Sequence, residues 1–188
     1  MTDFERWLSG QRLGDAKMSS VLKAQLEKFL FEGPLNPFPI LEEIRLLEGI
    51  DEETSRTGPS REFAIGPLAG LMYKHFVNAR FIAKNVQSHW TDKKLLKMMG
   101  GKVSQAGPVD DDAERAWKLA GEIAREYVLG AYGKREKSHS LTGEWLIYKR
   151  LGSTNYYLTC AGHDEDQQEI HGRILRGAAA DFPELELS

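Results

Sequence analysis

The chain has 188 residues, 41% hydrophobic, 28% charged and 10% aromatic, with a formal charge of −3. That length and mixture suit one globular domain with its own core and exclude a disordered tract. The slight acidity excludes a global attraction to nucleic acid or anionic lipid but leaves room for a local basic patch.

The first ten residues carry Asp3, Glu5 and Arg6 instead of a basic start and an apolar run, so no secretory leader is expected. Thr2 and Glu5 have the spacing of a capping box, which predicts a short helix through Leu8. Leu22, Leu26 and Phe29 fall at helical spacing between Ser19 and Phe31, and Gly33-Pro34 stops that helix. Ile40, Leu41, Ile44, Leu46 and Leu47 predict the next one, closed near Gly49. Asp51 to Ser60 is polar and reads as an exposed loop, the best place for a hinge or a proteolytic nick.

After Gly66-Pro67 the stripe Leu68, Met72, His75, Ala79, Ile82 and Val86 predicts a long central helix to about Gln87. His75 is then a hydrogen-bonded core residue, and Lys74 and Arg80 are solvated. Thr91 or Asp92 opens a short helix through Met99, stopped by Gly100-Gly101. Asp110 to Asp112 sit where a helix wants negative charge. The helix they precede carries Ala113, Ala116, Trp117, Ala120, Ile123 and Tyr127 as a buried stripe. It ends near Gly130 to Gly133, and Lys134 to Lys137 follow as a basic linker.

The period then changes from 3.6 to 2. Trp145, Ile147 and Lys149 alternate with Leu146, Tyr148 and Arg150, and Tyr156, Leu158 and Cys160 alternate with Asn155, Tyr157 and Thr159. Gly152-Ser153 between them suits a two-residue type II′ hairpin turn pairing Leu151 with Thr154. In that register Ile147 faces Leu158 and Trp145 faces Cys160 on one apolar face, and the other face holds Tyr148, Arg150 and Tyr157. Asp164 and Gln167 mark the start of a last helix with Ile170, Ile174 and Ala178 inward, ended by Asp181-Phe182-Pro183.

The fold expected from these elements is α+β. It is a mainly helical single domain over 1–188, with a helical part at 1–133 and a small antiparallel β-hairpin before the C-terminal helix at 141–182. Cys160 is the only cysteine, so no intrachain disulfide can form, and no apolar run reaches membrane-spanning length. A cytoplasmic protein that does not contact membrane is expected.

No phosphate loop, dinucleotide fingerprint, zincin helix, nucleophile elbow or paired Cys-x2-Cys occurs. The densest set of reactive side chains is Cys160 to His171. His163 lies at the junction of strand and helix, where it could act as a general acid or base oriented by Asp164 or Glu165. His163, Asp166 and His171 have donor types that suit zinc, manganese or iron, but acids at a helix start are expected there as caps, and no metal or cofactor is called for. Cys160 falls on the apolar hairpin face as a small core hydrophobe.

The other candidate is a surface. Lys134, Arg135, Lys137 and His139 lead into the hairpin face of Tyr148, Arg150 and Tyr157, the mixture of cations and rings that single-stranded nucleic-acid binders use. The competing reading makes Tyr148 and Tyr157 a packed cross-strand pair. Three functions therefore stand open. One is a binding or regulatory module contacting a protein partner or single-stranded nucleic acid through the hairpin region. A second is a small toxin-like nuclease or transferase centred on His163. The third is a homodimer joined through the hairpin edge.

Overall fold

The computed structural model describes residues 1–33, 35–51, 55–77, 82–106, 113–138 and 143–187. They divide into two compact units, one formed by 1–78 with 142–188 and the other by 79–141.

The first unit is built on a five-stranded mixed sheet. Its strands are β1 (Lys17–Met18), β2 (Arg61–Glu62), β3 (Met72–Phe76), β4 (Glu144–Leu151) and β5 (Thr154–Ala161), in the order β1-β5-β4-β3-β2. All neighbours are antiparallel except β1 and β5. The expected hairpin is thus the centre of a larger sheet and not a small appendage to helices.

The turn is as the residues predicted: Leu151 pairs with Thr154, and Gly152 takes φ +60°, which only glycine adopts readily. The expected register fails four residues further on. A bulge opposite Ile147/Tyr148 leaves Leu158 as the extra residue of β5, so Ile147 pairs with Thr159 and Leu146 with Cys160. Both faces of the hairpin are buried as a result.

One face carries Leu146, Tyr148, Tyr157, Cys160 and Phe76. They meet α1 (Asp3–Ser9), α2 (Ser20–Glu32) and α3 (Phe38–Leu47) through Phe4, Leu22, Leu26, Ile40, Leu41 and Ile44. The opposite face carries Ile147, Leu158 and Ala161 against Ile170 and Ile174 of α8 (Gln167–Arg176) and Ala178 of α9 (Ala178–Asp181). Phe182 and Leu185 of the last turns close that layer. Helices therefore cover a central sheet on both sides, which is the standing solution for strands with two apolar faces.

The N-terminal helices form where their caps predict. Thr2 and Glu5 make the reciprocal capping box of α1, Ser19 Oγ accepts from Leu22 N to open α2, and Gly33 closes α2 with φ +71°. At 66–76 the helical expectation is wrong. Gly66 and Gly70 both take φ +82°, which no helix tolerates, and Met72 to Phe76 then run as β3. Met72 and Phe76 face α3, while Tyr73 faces α8.

Lys74 is buried, not solvated. Its Nζ donates to Ser55 Oγ (2.7 Å), Thr57 Oγ1 (2.8 Å) and the Gly58 carbonyl (2.6 Å), and lies 3.4 Å from Glu43 of α3. The described part of the 51–60 loop is therefore pinned to the core rather than loose. Burial raises the Glu43 carboxyl above its ordinary pKa and lowers that of Lys74, each opposed by the other's charge.

Both edges of the hairpin carry partners among the described residues. The outer edge of β4 is taken by β3, and β1 covers Tyr156 and Tyr157 of β5. Beyond β1 the Gln25 amide continues the ladder: its Oε1 accepts from Cys160 N (2.8 Å) and its Nε2 donates to the Cys160 carbonyl (2.9 Å). A side chain thus does what a sixth strand would do.

The second unit is helical. It holds α4 (Ile82–His89), α5 (Asp92–Ala106), α6 (Ala113–Arg125) and α7 (Ala131–Lys137), with a π-helical turn at Glu126–Gly130 joining the last two. Helix α5 runs straight through Gly100-Gly101, and the expected basic linker 134–137 is the last turn of α7. Trp117 is 79% exposed, so the stripe of α6 is not the buried one that its spacing predicts. Ala79, Arg80 and Asp110 to Asp112 lie outside the described residues. Among the described residues no helix is long and apolar enough to cross a membrane.

Candidate active site

On the α8 side of the sheet, His75 of β3 lies opposite Trp145 of β4 in register. Strand β5 ends at Ala161, and the turn after it brings His163 against both. The Nε2 atoms of His75 and His163, 88 residues apart in sequence, are 3.0 Å from one another. Their rings are nearly parallel, 4° apart with centroids at 5.0 Å. Trp145 packs on His163 at 4.4 Å and on Phe63 at 5.3 Å, and Tyr73 contacts both Phe63 (4.6 Å) and His75 (5.5 Å). The buried Trp145 Nε1 finds no acceptor among the described residues, a state that native structures rarely leave without a reason.

The turn that carries His163 is held from both sides. The His163 main-chain N–H donates to Glu144 Oε2 (3.2 Å), and Gly162 N–H donates to Glu165 Oε2 (3.2 Å). Arg173 of α8 pairs with Glu165 and also donates to Thr159 Oγ1 and the Cys160 carbonyl, each at 3.1 Å. Behind β3, Thr57 Oγ1 donates to the His75 carbonyl at 2.7 Å, which ties His75 to the Glu43–Lys74 pair.

Burial first, then the charges of His163, Lys74 and Arg61, lower the His75 pKa to about 4. His75 is therefore neutral near pH 7, with one N–H and one lone pair. A contact of 3.0 Å between two imidazole nitrogens requires one to donate and the other to accept. Two imidazolium ions cannot share it.

The other expected residues lie elsewhere. Asp164 is exposed in the His163 turn, and the cap of α8 is Asp166, whose carboxylate accepts from Gln168 N (2.7 Å) and Glu169 N (3.3 Å). Among the described residues no three His, Cys, Asp or Glu side chains converge to hold a metal ion. Tyr148 and Tyr157 do pair across the hairpin, at 5.7 Å between ring centroids, but both are fully buried, and Tyr157 Oη donates to Glu48 at 2.5 Å. No base can stack on these two rings. Burial and Glu48 push the Tyr157 hydroxyl well above its ordinary pKa.

Arg150 is exposed at the end of β4 and donates to Asn155 Oδ1. Arg135 and Lys137 belong to α7 in the helical unit, where Arg135 donates to Asn85 Oδ1 at 3.3 Å. His139 lies outside the described residues. Cys160 is buried, and burial raises its thiol pKa far above the ordinary value, as a core cysteine requires.

Sequence reasoning singles out His163 but not its neighbours His75, Trp145, Tyr73 and Phe63. The alternation of Met72, Lys74 and Phe76 with Tyr73 and His75 was the available signal. Comparison of the chain with protein-family models, with curated proteins and with solved structures finds no match.

Proposed function

We propose that this protein is a small acid–base enzyme in which His163 exchanges the proton and His75 positions and relays it, acting on an anionic ester such as a nucleic-acid phosphodiester. The observation that carries this reading is the 3.0 Å contact between the two Nε2 atoms. Imidazole is the side chain whose proton moves most readily near neutral pH, and a neutral partner keeps it available. Arg61 is exposed and close enough to act electrostatically on His75, so negative charge on a substrate has a counter-charge at hand.

In the cycle, a hydroxyl nucleophile gives its proton to His163 as its oxygen bonds to phosphorus. The bond from phosphorus to the leaving oxygen breaks, and that oxygen takes the proton back. His75 accepts or returns the hydrogen bond as His163 changes state, which keeps the ring oriented.

The test is cleavage of labelled single-stranded RNA and DNA by the purified chain. His163→Ala is expected to lower the rate at least 100-fold, on the order of a general acid–base contribution, with an unchanged circular dichroism spectrum. His75→Gln is expected to shift the pH profile as well as lower the rate. Full activity in His163→Ala overturns the reading, as does the absence of cleavage of either polymer.

A further inference from the structure

We infer that the helical unit at 79–141 carries a binding groove for single-stranded nucleic acid, formed by α5 and α7 around the Trp90–Tyr127 stack. Charge points there first. Residues 79–141 hold twelve Lys and Arg against eight Asp and Glu, whereas the rest of the chain holds thirteen against twenty. A protein of overall charge −3 thus carries a net +4 on this unit (12 − 8) and −7 on the rest (13 − 20).

The groove encloses about 390 Å³ and is open to solvent along its length. Lys94, Lys97 and Lys102 of α5 and Lys134 of α7 line it together with Trp90. Lys94 and Lys97 form no ion pair among the described residues. Lys134 is paired with Glu126 at 2.6 Å, and Lys102 leans on Glu122 at 3.9 Å. From Lys94 to Lys102 the helix advances roughly 12 Å, enough for a short stretch of strand to meet three cations in turn. A second hollow of about 290 Å³ shares Lys102 and adds Arg115 and Lys118, so the basic track continues past the first.

Rigid aromatic surface is the second requirement. Trp90 is stacked on Tyr127 (5.9 Å, 7°), and its Nε1 donates to the Tyr127 carbonyl at 2.9 Å. That carbonyl belongs to the π-helical turn, a rare element that recurs at functional sites. Lys134 Nζ lies 5.8 Å from the Trp90 ring. The positive field is felt locally: burial and the charges of Lys94, Lys134 and Arg135 lower the pKa of His89, which packs edge-on to Trp90. Cations that follow phosphates beside a ring that accepts a base are the two parts of sequence-tolerant strand binding. An anionic membrane or an acidic polypeptide would use the lysines and leave the stacked ring idle.

This inference stands apart from the reading of His163, because binding is measured without turnover. Full-length His163→Ala protein is titrated into fluorescein-labelled oligouridylate and oligothymidylate of about 12 nucleotides, read by fluorescence anisotropy. Binding is expected to weaken about fifty-fold between about 50 and 200 mM salt, the slope that four lysine–phosphate contacts give. Lys94→Gln with Lys97→Gln should lower the affinity and flatten the salt dependence. Trp90→Ala should weaken binding about tenfold or more by loss of stacking.

No anisotropy change at low salt overturns the inference. So does affinity indifferent to the two lysine substitutions, or binding to phosphatidylserine vesicles or polyglutamate without binding to either oligonucleotide. Binding without cleavage by the wild-type chain would uphold the groove and remove the proposed activity.

Discussion

The two units of this chain spend their apolar residues differently. In the sheet unit Leu22, Leu26, Ile40, Leu146, Ile147 and Leu158 are fully buried, and the buried Lys74 is held by Ser55, Thr57 and Gly58, although Trp145 Nε1 and Tyr148 Oη find no partner among the described residues. In the helical unit Leu96, Val103, Trp117 and Leu129 are 49–79% exposed, and α5 buries none of its residues. The first unit has the packing of a scaffold that fixes side chains to fractions of an ångström. The second leaves more of its large apolar side chains exposed and carries an excess of cations.

Substitutions should sharpen that contrast. The largest effect is expected at Glu43. Replacing it with Ala strands the Lys74 ammonium among Ser55, Thr57 and Gly58, and loss of one partner from a buried pair costs about 3–5 kcal/mol. Urea denaturation should show a lower midpoint, and a stability within about 0.5 kcal/mol of wild type would mean that water reaches Lys74.

An intermediate effect is expected from pH. The folded state holds His75 neutral down to about pH 4, whereas the unfolded chain takes up that proton near pH 6.5. Between these values the unfolded state binds more protons, so stability is full above about pH 6.5 and falls as pH drops toward 4. The ring is only half-buried, so solvent screening reduces the loss to roughly 1–2 kcal/mol. Thermal melts across this range should flatten in His75→Phe, and an unchanged pH dependence would remove the His75 contribution.

The smallest effect belongs to the helical unit. Trp117→Ser should change stability by no more than about 0.5 kcal/mol in a melt followed by circular dichroism. A larger loss would show that this ring is covered in solution and would erase the distinction between the two units.

What the sequence disclosed follows the range of the interactions. The cap at Thr2, the stop at Gly33 and the turn at Gly152-Ser153 are made by neighbours, and each was legible. The bulge at Leu158 was not, because it is set by packing on two faces at once, which simple alternation cannot encode. Strand β3 was mistaken for helix because Leu68, Met72 and His75 fall by chance at spacings of four and three. The paired glycines at 66 and 70 were the overlooked objection. His163 stood out because it sits where a strand ends. His75 could not, since only the strand pairing of β3 with β4 carries it across 88 residues. The positive charge of 79–141 was countable from the start, but it had no meaning until the unit's boundaries were known.

The chain leaves the sheet for the helical unit just after Phe76 and re-enters at Glu144, and these two residues are register partners. Gly143 marks the re-entry, where a side chain would collide with the Phe76 carbonyl. Departure and return are thus side by side, like the two ends of a hairpin turn. Every strand pairing of the sheet lies outside 79–141. In topological terms the helical unit is an insertion in the β3–β4 connection: with the ends joined directly, β3, β4 and β5 have the connectivity of a plain meander.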